Sequence, residues 1–440
     1  MTERQPDQIS IYVLRAFVLA ALTLVPLFAS AGPAWLQYLA DGHLAARTVV
    51  DGNCPKVTID GSDSLMAPRG TPPAGQKPVC ETDVSGARSV AVAGVPLHVP
   101  SSATPGRIVV LGDTGCRIKV GPTTATDSDD DDEPGGKPKI QNCNDKTKWP
   151  FQAVAQSAVA VNPDLLIHVG DYVYRETPCP REFAQDCANS PSGDQWSTWD
   201  ADFFTPAKSL LAQAPWIFVR GNHEICTRTG KGWFYYFGPG PYVAGKPCSD
   251  VVAAYTLRIG AFESLVVDSS SAPDQSPPPQ QIDVYAEQFR AASGHLNHAW
   301  LLTHRPIWAA KVGPKGDRTE LRTLNATLEQ AWARQPVAGI DLVVSGHTHL
   351  FELASLGPTL PLQIVVGNGG TKLSHALPGT LTGEKIGTAT VARGVSNAEF
   401  GFVIIEPSKR AERWTLRLRD SHGHALLKCS MASEAHCEAN

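Results

Sequence analysis

The sequence has no cluster of positive charge of the kind that binds nucleic acid or an anionic membrane. It also lacks the Cys-x-x-Cys spacing of sulfur-bound zinc sites, and it contains no internal repeat. These absences argue against a nucleic-acid partner, a thiolate metal site and a repeat architecture. The hydrophobic content of 42% and the charged content of 18% are ordinary for a globular protein, so the composition does not favour disorder.

The net charge of −5 comes mainly from one acidic run at 127–133, and without its six carboxylates the net charge would be +1. Six adjacent carboxylates repel one another and favour solvent, so we interpret 121–139 as a solvated loop insertion. A weak calcium site is the alternative, but the run lacks the spaced ligands and the glycine of an organised calcium loop.

The N-terminal region contains an almost wholly apolar stretch at 16–29, which follows Arg15 and ends in Ala29-Ser30-Ala31. A positive residue, a short apolar core and an Ala-x-Ala site are typical of a secretory signal peptide, predicted here at 1–31. Because residues 9–14 lengthen the apolar stretch, an uncleaved membrane anchor is the alternative. Both interpretations predict an exported protein, either periplasmic or secreted, with no membrane contact beyond this segment.

The ten cysteines support export, since they fall into five pairs of close neighbours along the chain. An even number with local spacing is typical of disulfides formed in an oxidising compartment. The sequence does not determine connectivity, but we expect sequential pairing of 54 with 80, 116 with 143, 179 with 187, 226 with 248 and 429 with 437. Buried free thiols are the alternative.

The chain is organised into three parts after the signal segment. Residues 32–104 are rich in Gly, Pro and Ser, with short alternating stretches, and we expect a small β-rich N-terminal segment there. Residues 105–420 alternate apolar strand-like runs with amphipathic helical ones, which predicts α/β layers. Residues 421–440 form a tail with the last Cys pair. The stretch 272–280 is rich in proline and is predicted to be a loop.

Five apolar runs in the larger part end directly before a side chain suited to binding a metal ion. These side chains are Asp113, Asp171, Asn222-His223, His304 and His347-Thr-His349. In open α/β sheets, sites lie at the carboxyl ends of strands, so residues distant in sequence converge there. A lone Asp after a strand is usually a turn or helix cap, and a lone His is usually a satisfied polar group. Five in the same local context predict one site.

The motifs GDTG (112–115), GDYVY (170–174), GNHE (221–224), LLTH (301–304) and GHTH (346–349) resemble the ordered blocks of the calcineurin-like metallophosphoesterases. The patterns GD-x-G and GD-x-x-Y, together with HRPIW (304–308), are similar to those of the purple acid phosphatase branch. This resemblance covers about 105–420. It implies a four-layer α/β/β/α sandwich, with two mixed sheets covered by helices and metals at one sheet edge.

The resemblance also implies a ligand set for two metal ions. Asp113, Tyr174 and His349 would hold the first ion; Asn222, His304 and His347 would hold the second. Asp171 would bridge the two ions. Hard anionic oxygens suit Fe³⁺, whereas imidazole and amide suit a divalent ion such as Fe²⁺, Zn²⁺ or Mn²⁺. The expected nucleophile is a hydroxide that bridges the metals.

His223 is not a ligand in the family, and the resemblance implies that it faces the substrate phosphate as the catalytic acid or hydrogen-bond donor. Asn222 is expected beside it at the substrate. Tyr172 adjoins Tyr174 and could take its place, although the D-x-x-Y spacing favours Tyr174. His168 is expected to support the site or simply to belong to the core.

The expected function is hydrolysis of a phosphate monoester on a small substrate. A phosphodiesterase or nucleotidase using the same site with Mn²⁺ or Zn²⁺ is the first alternative. A non-catalytic extracytoplasmic binding protein that kept the fold is the second, and the complete ligand set argues against it.

Overall fold

The computed structural model describes residues 1–2, 32–121, 138–312, 322–323, 325–377, 380–408 and 414–439. All but the first two residues of the predicted signal segment, and the whole acidic run, lie outside the described residues. Within the described ranges, every helix is too short or too polar to cross a membrane.

An eleven-stranded mixed sheet forms one half of the molecule. In sheet order its strands are Ala435–Ala439, Ala425–Met431, Trp414–Asp420, Gly401–Pro407, Ile108–Leu111, Leu165–His168, Trp216–Phe218, Ala34–Tyr38, Leu44–Val49, Val79–Asp83 and Ala67–Pro68. The strand Leu165–His168 pairs in parallel with Ile108–Leu111 on one side and with Trp216–Phe218 on the other. Three carboxyl ends therefore meet at one edge.

A seven-stranded sheet forms the other half. Its order is Tyr255–Ile259, Phe262–Val266, Ala299–Leu302, Ile340–Ser345, Leu362–Val366, Phe351–Ser355 and Arg393–Asn397. The strands Ala299–Leu302 and Ile340–Ser345 are parallel neighbours. Their carboxyl ends, which precede His304 and His347, therefore lie side by side.

The predicted N-terminal segment contributes to two sheets. Its strand Ala34–Tyr38 joins the large sheet in parallel with Trp216–Phe218. A separate four-stranded sheet has the order Ser62–Leu65, Lys56–Ile59, Val90–Val92 and Val95–Leu97. The remaining strands form two-stranded pairs: Ile118–Lys119 with Lys139–Ile140, Ala310–Lys311 with Arg322–Thr323, and Lys385–Ile386 with Ala389–Thr390.

The α-helices are Phe151–Val159, Ala184–Cys187, Trp196–Trp199, Thr205–Leu211, Gly230–Tyr236, Pro279–Ala292 and Ala326–Arg334. Two 3₁₀ turns lie at Arg181–Phe183 and Asn222–Glu224, and a π turn lies at Asp200–Phe204. The π turn joins Trp196–Trp199 to Thr205–Leu211 in one continuous helical stretch. The longest helix begins with a proline at its first position and buries Ile282, Tyr285 and Phe289 along one face.

Successive residues of a strand point to opposite faces of its sheet, so each sheet contributes to two cores. Val109 and Leu111 belong to the core shared with the helices around Phe151–Val159, whereas Ile108 and Val110 face the second sheet. A third core lies between the seven-stranded sheet and the helices Pro279–Ala292 and Ala326–Arg334. The order helix, sheet, sheet, helix confirms the predicted four-layer α/β/β/α sandwich.

All ten cysteines form disulfides in the structure, and the pairs are the sequential ones: Cys54–Cys80, Cys116–Cys143, Cys179–Cys187, Cys226–Cys248 and Cys429–Cys437. The predicted connectivity is thus confirmed. Five disulfides are typical of a protein from an oxidising compartment.

Candidate metal centre

The seven side chains that the sequence predicts as metal ligands come together between the carboxyl ends of the two sets of parallel strands. The large sheet brings Asp113, Asp171, Tyr174 and Asn222, and the second sheet brings His304, His347 and His349. Each of the seven is at most 4% exposed. Residues spread over 237 positions of sequence thus form one buried polar cluster.

The loops that carry these side chains have a demanding backbone conformation. Asp113, Asp171 and His347 have φ angles of 56°, 61° and 73°, which are uncommon for residues other than glycine. The adjacent glycines allow close approach: a Cβ on Gly221 would overlap Asp171 Oδ1, and one on Gly346 would overlap Asp113 Oδ2. At Gly170, Gly221 and Gly346 a larger residue would therefore displace a candidate ligand, and at Gly112 it would overlap Val169.

Tyr174 lies at the centre of one half of the cluster. Its Oη is 3.0 Å from Asp113 Oδ1, 2.8 Å from Asp171 Oδ2 and 3.0 Å from His349 Nε2. A phenol has one proton and cannot donate to both carboxylates, so this group of oxygens suits a cation. Burial, followed by the Asp113 and Asp171 charges, raises the pKa of Tyr174 well above its usual range. The phenol therefore needs a cation beside it in order to ionise.

Asn222 lies at the centre of the other half. Its Oδ1 is 2.9 Å from both His304 Nε2 and His347 Nδ1. His304 Nε2 is also 3.2 Å from Asp171 Oδ2. The Asp171 carboxylate therefore contacts the side chains of both halves. Burial opposes its ionisation, but His304 and His223 outweigh burial and lower the pKa of Asp171 well below its usual range.

The donor set fits two cations. One half offers carboxylate and phenol oxygens with one imidazole, and the other offers two imidazoles with an amide oxygen, so both hard and intermediate ions find suitable partners. Nitrogen and oxygen atoms of Asp171, His304 and His347 lie close enough to share one ion.

His223 lies beside the cluster rather than in it. Its ring packs against Tyr174 at an angle of 36° with centroids 3.8 Å apart, and its Nε2 is 3.9 Å from Asp171 Oδ2. On the other side, His223 Nδ1 lies 2.9 Å from Glu176 Oε1. The sequence motifs do not identify Glu176, even though Glu176 lies only two positions after the candidate ligand Tyr174. A carboxylate at Nδ1 fixes the ring and leaves Nε2 facing the centre.

Two further buried carboxylates, both missed by sequence reasoning, hold the loops in place. Glu224 accepts backbone N–H bonds from Asp171, Tyr172 and Gly221, and burial, then the Asp171 charge, raise its pKa to about 8. Asp202, in the π turn, accepts from the backbone N–H groups of Cys116 and Tyr174. It thereby joins the first two ligand-bearing loops. Because Glu224 stands in the GNHE motif, that motif is the signal that could have found it, whereas no local signal identifies Asp202.

The two alternative residues lie outside the cluster. Tyr172 donates from its hydroxyl to the carbonyl of Val219 at 2.9 Å and stacks on His168. His168 Nε2 is 3.1 Å from Thr114 Oγ1, and burial lowers its pKa well below the usual range. His168 thus lies outside the cluster, where its Nδ1 accepts from the N–H of Gly170 next to Asp171, and Tyr174 is the tyrosine that reaches the carboxylates.

Comparison with known proteins agrees with this geometry. Residues 106–351, more than half of the chain, match the family described as calcineurin-like phosphoesterase. A phosphoenolpyruvate phosphatase from onion (Allium cepa) is 25% identical over 209 residues, which are 46% of this chain. The match spans only 39% of that relative's length.

Solved structures support the fold. A purple acid phosphatase from yellow lupin (Lupinus luteus) seeds superimposes with a TM-score of 0.54 at 13% identity, covering 92% of this chain and 75% of the lupin protein. PhoD superimposes with a TM-score of 0.54 at 10% identity, covering 92% of this chain and 91% of PhoD. Family members carry a dinuclear metal site, and the buried donor cluster lies within the matched region. This chain belongs to the calcineurin-like phosphoesterase family.

Proposed function

We propose that this chain is an exported hydrolase of small phosphate monoesters that works with two metal ions. The observation that carries the proposal is the position of Asp171 Oδ2, 2.8 Å from Tyr174 Oη in one half of the buried cluster and 3.2 Å from His304 Nε2 in the other. One carboxylate placed between two sets of donors is suited to bridging two cations. The family match and the onion phosphatase support the same reaction class.

The two halves of the cluster define the proposed ligand sets. Asp113, Tyr174 and His349 hold the first ion, and Asn222, His304 and His347 hold the second, with Asp171 shared. When bound, the ions supply Lewis-acid activation of water and neutralise charge on the phosphoryl oxygens. The chain's own part is to hold donors of both kinds at fixed positions in a buried site.

His223 is the proposed catalytic residue. In the doubly protonated ring, Nδ1 pairs with Glu176, and the Nε2–H that faces the centre can donate a hydrogen bond to a phosphoryl oxygen or a proton to the leaving group. The amide of Asn222, the neighbouring residue, is the second group that we place at the substrate. Both residues are carried by the 3₁₀ turn Asn222–Glu224, which fixes their relative orientation.

The position of Tyr174 supports placing this chain in the purple acid phosphatase branch of the family. Its oxygen lies between two carboxylates, where a trivalent ion such as Fe³⁺ would stabilise the phenolate. The imidazole-rich half suits a divalent ion: Fe²⁺, Zn²⁺ or Mn²⁺. Five disulfides favour a periplasmic or secreted location, and the proposed signal segment is consistent with it.

A substrate comparison tests the proposed reaction. We expect the metal-loaded protein to hydrolyse 4-nitrophenyl phosphate with a higher kcat/KM than bis(4-nitrophenyl) phosphate, because the monoester dianion is attracted more strongly to the positive centre. The measurement is release of nitrophenolate under matched conditions, with the Asp171→Ala variant as the blank. A preference for the diester would identify a phosphodiesterase on the same site, and turnover of neither would favour a binding protein.

A further inference from the structure

The Pro-rich loop at 272–280 carries a carboxylate that reaches the centre from behind. Asp274 Oδ2 lies 2.9 Å from His347 Nε2, and Asp274 Oδ1 lies 2.6 Å from Arg305 Nη1. The same Arg305 nitrogen is 2.9 Å from His347 Nε2. All three side chains are at most 3% exposed. His347 Nε2 therefore has a hydrogen-bond acceptor, the Asp274 carboxylate, and a donor, the Arg305 guanidinium, beside it.

The protonation of the His347 ring decides whether it can bind a metal. Its Nδ1 faces the cluster, 2.9 Å from Asn222 Oδ1. A neutral imidazole carries one proton, so Nδ1 offers a lone pair only when the proton is on Nε2. A carboxylate at Nε2 stabilises that tautomer, because it can only accept. A guanidinium at Nε2 stabilises the other tautomer, which carries its proton on Nδ1, because a guanidinium can only donate.

We propose that Asp274 is a positioning residue for the second metal ion: it accepts the proton of His347 Nε2, and it pairs with Arg305 Nη1, which would otherwise donate to that nitrogen. The inference rests on the proposed two-metal function and adds a residue to it. Asp274 acts through both of its oxygens: Oδ2 selects the tautomer, and Oδ1 binds the competing guanidinium. When Asp274 is lost, Arg305 can donate to His347 Nε2. The ring proton then moves to Nδ1, and a protonated Nδ1 cannot bind a metal ion.

The surrounding backbone holds this arrangement in place. The N–H of Ala326 donates to the carbonyl of Asp274 at 2.8 Å, and Thr327 Oγ1 donates to the carbonyl of Pro273 at 2.6 Å. The Asn325 amide donates to the carbonyl of Pro306, beside Arg305. The first turn of the helix Ala326–Arg334 thus anchors both the loop of Asp274 and the segment of Arg305. Such support is what an outer partner of a metal ligand requires.

The test is Zn²⁺ binding to chelator-stripped protein, measured by calorimetry and by metal content after dialysis. We expect two zinc ions in the wild type. In Asp274→Ala, affinity at the second site should fall by about 10–100-fold while the first site is retained, the usual scale for loss of such a partner. Asp274→Asn keeps the volume but offers an N–H to Nε2, so it should show the same loss. The double variant Asp274→Ala/Arg305→Met removes the competing donor and should recover part of the affinity.

The matched control is Asp268→Ala in the same region, since Asp268 is also ion-paired with a buried arginine, Arg220, at 3.1 Å. Among the described residues Asp268 contacts none of the seven candidate ligands through its side chain, so this variant should keep both ions. Nitrogen-15 NMR of histidine-labelled protein gives a second readout. His347 should carry its proton on Nε2 in the zinc-loaded wild type and shift towards Nδ1–H in zinc-free Asp274→Ala.

The outcomes separate this inference from the proposed function. Fewer than two zinc ions in the wild type would contradict the two-metal function itself. Two ions in the wild type with unchanged affinity in Asp274→Ala would overturn the role of Asp274 alone. A double variant that binds zinc no better than Asp274→Ala would overturn the competition by Arg305.

Discussion

Asp171→Ala is expected to abolish hydrolysis and to empty both metal sites. The Asp171 carboxylate contacts side chains of both halves of the cluster, 2.8 Å from Tyr174 Oη and 3.2 Å from His304 Nε2. Without it, two positive ions would have to lie close together in a buried site with one negative charge fewer between them, which is strongly unfavourable. The measurement is metal content per chain after reconstitution, together with the rate of monoester hydrolysis.

Asp164→Ala is the matched control, because Asp164 precedes the same strand, Leu165–His168, that Asp171 follows. Its carboxylate accepts backbone N–H bonds from Gly106 and Arg107 at the opposite end of the sheet. This variant should bind both metals and turn over substrate normally. The thermal transition of both variants shows whether either fails to fold. Retention of two metals by a folded Asp171→Ala protein would exclude Asp171 as the bridge.

His223→Ala is expected to keep both metals but to lose roughly 10²–10⁴-fold in kcat, the usual scale of a positioned acid or base. The ring packs against Tyr174 and its Nε2 is 3.9 Å from Asp171 Oδ2, so removing the ring leaves the seven donors intact. The backbone N–H of residue 223 still donates to Asp171 Oδ1 in the variant, because the alanine keeps that group. Steady-state kinetics and metal analysis on the same samples provide the test.

Glu176→Gln is the companion variant, since Glu176 Oε1 lies 2.9 Å from His223 Nδ1. It should lower kcat less than His223→Ala does and should leave the metal content unchanged, because Glu176 acts through the imidazole. If His223→Ala lost its metals while Asp171→Ala kept them, the two assigned roles would be exchanged.

The sequence predicted α/β layers and the donor cluster because both depend on local patterns, and the family resemblance implied the four-layer arrangement. Apolar runs followed by Gly-Asp or Gly-His identify strand ends, and the carboxyl ends of parallel strands meet in space. The family resemblance then identified Tyr174 as the ligand. Tyr172 lies in the same motif, and only the D-x-x-Y spacing from Asp171 distinguishes the two tyrosines in the sequence. The structure separates them: Tyr174 reaches two carboxylates, and Tyr172 bonds the carbonyl of Val219.

The sequence did not predict the residues that support the cluster, because their partners are distant along the chain. Asp274 meets His347 across 73 positions, and Asp202 meets the backbone of Tyr174 across 28. The π turn at Asp200–Phe204 is also invisible to a 3.6-residue pattern, since it shifts the register within an otherwise helical stretch. The division of the chain at 104–105 stays a prediction, and Ala34–Tyr38 forms part of the large sheet.

The most direct test of a centre that holds Fe³⁺ beside a divalent ion is the visible spectrum of the purified, iron-loaded protein. Iron is quantified on the same sample. A phenolate bound to Fe³⁺ absorbs visible light by charge transfer, so we expect two metal ions per chain and a pink to purple protein. Tyr174→Phe removes only the oxygen and should bleach the colour, whereas Tyr172→Phe should leave it unchanged. A colourless wild type with stoichiometric Fe³⁺, or a colour that survives Tyr174→Phe, would contradict the centre described here.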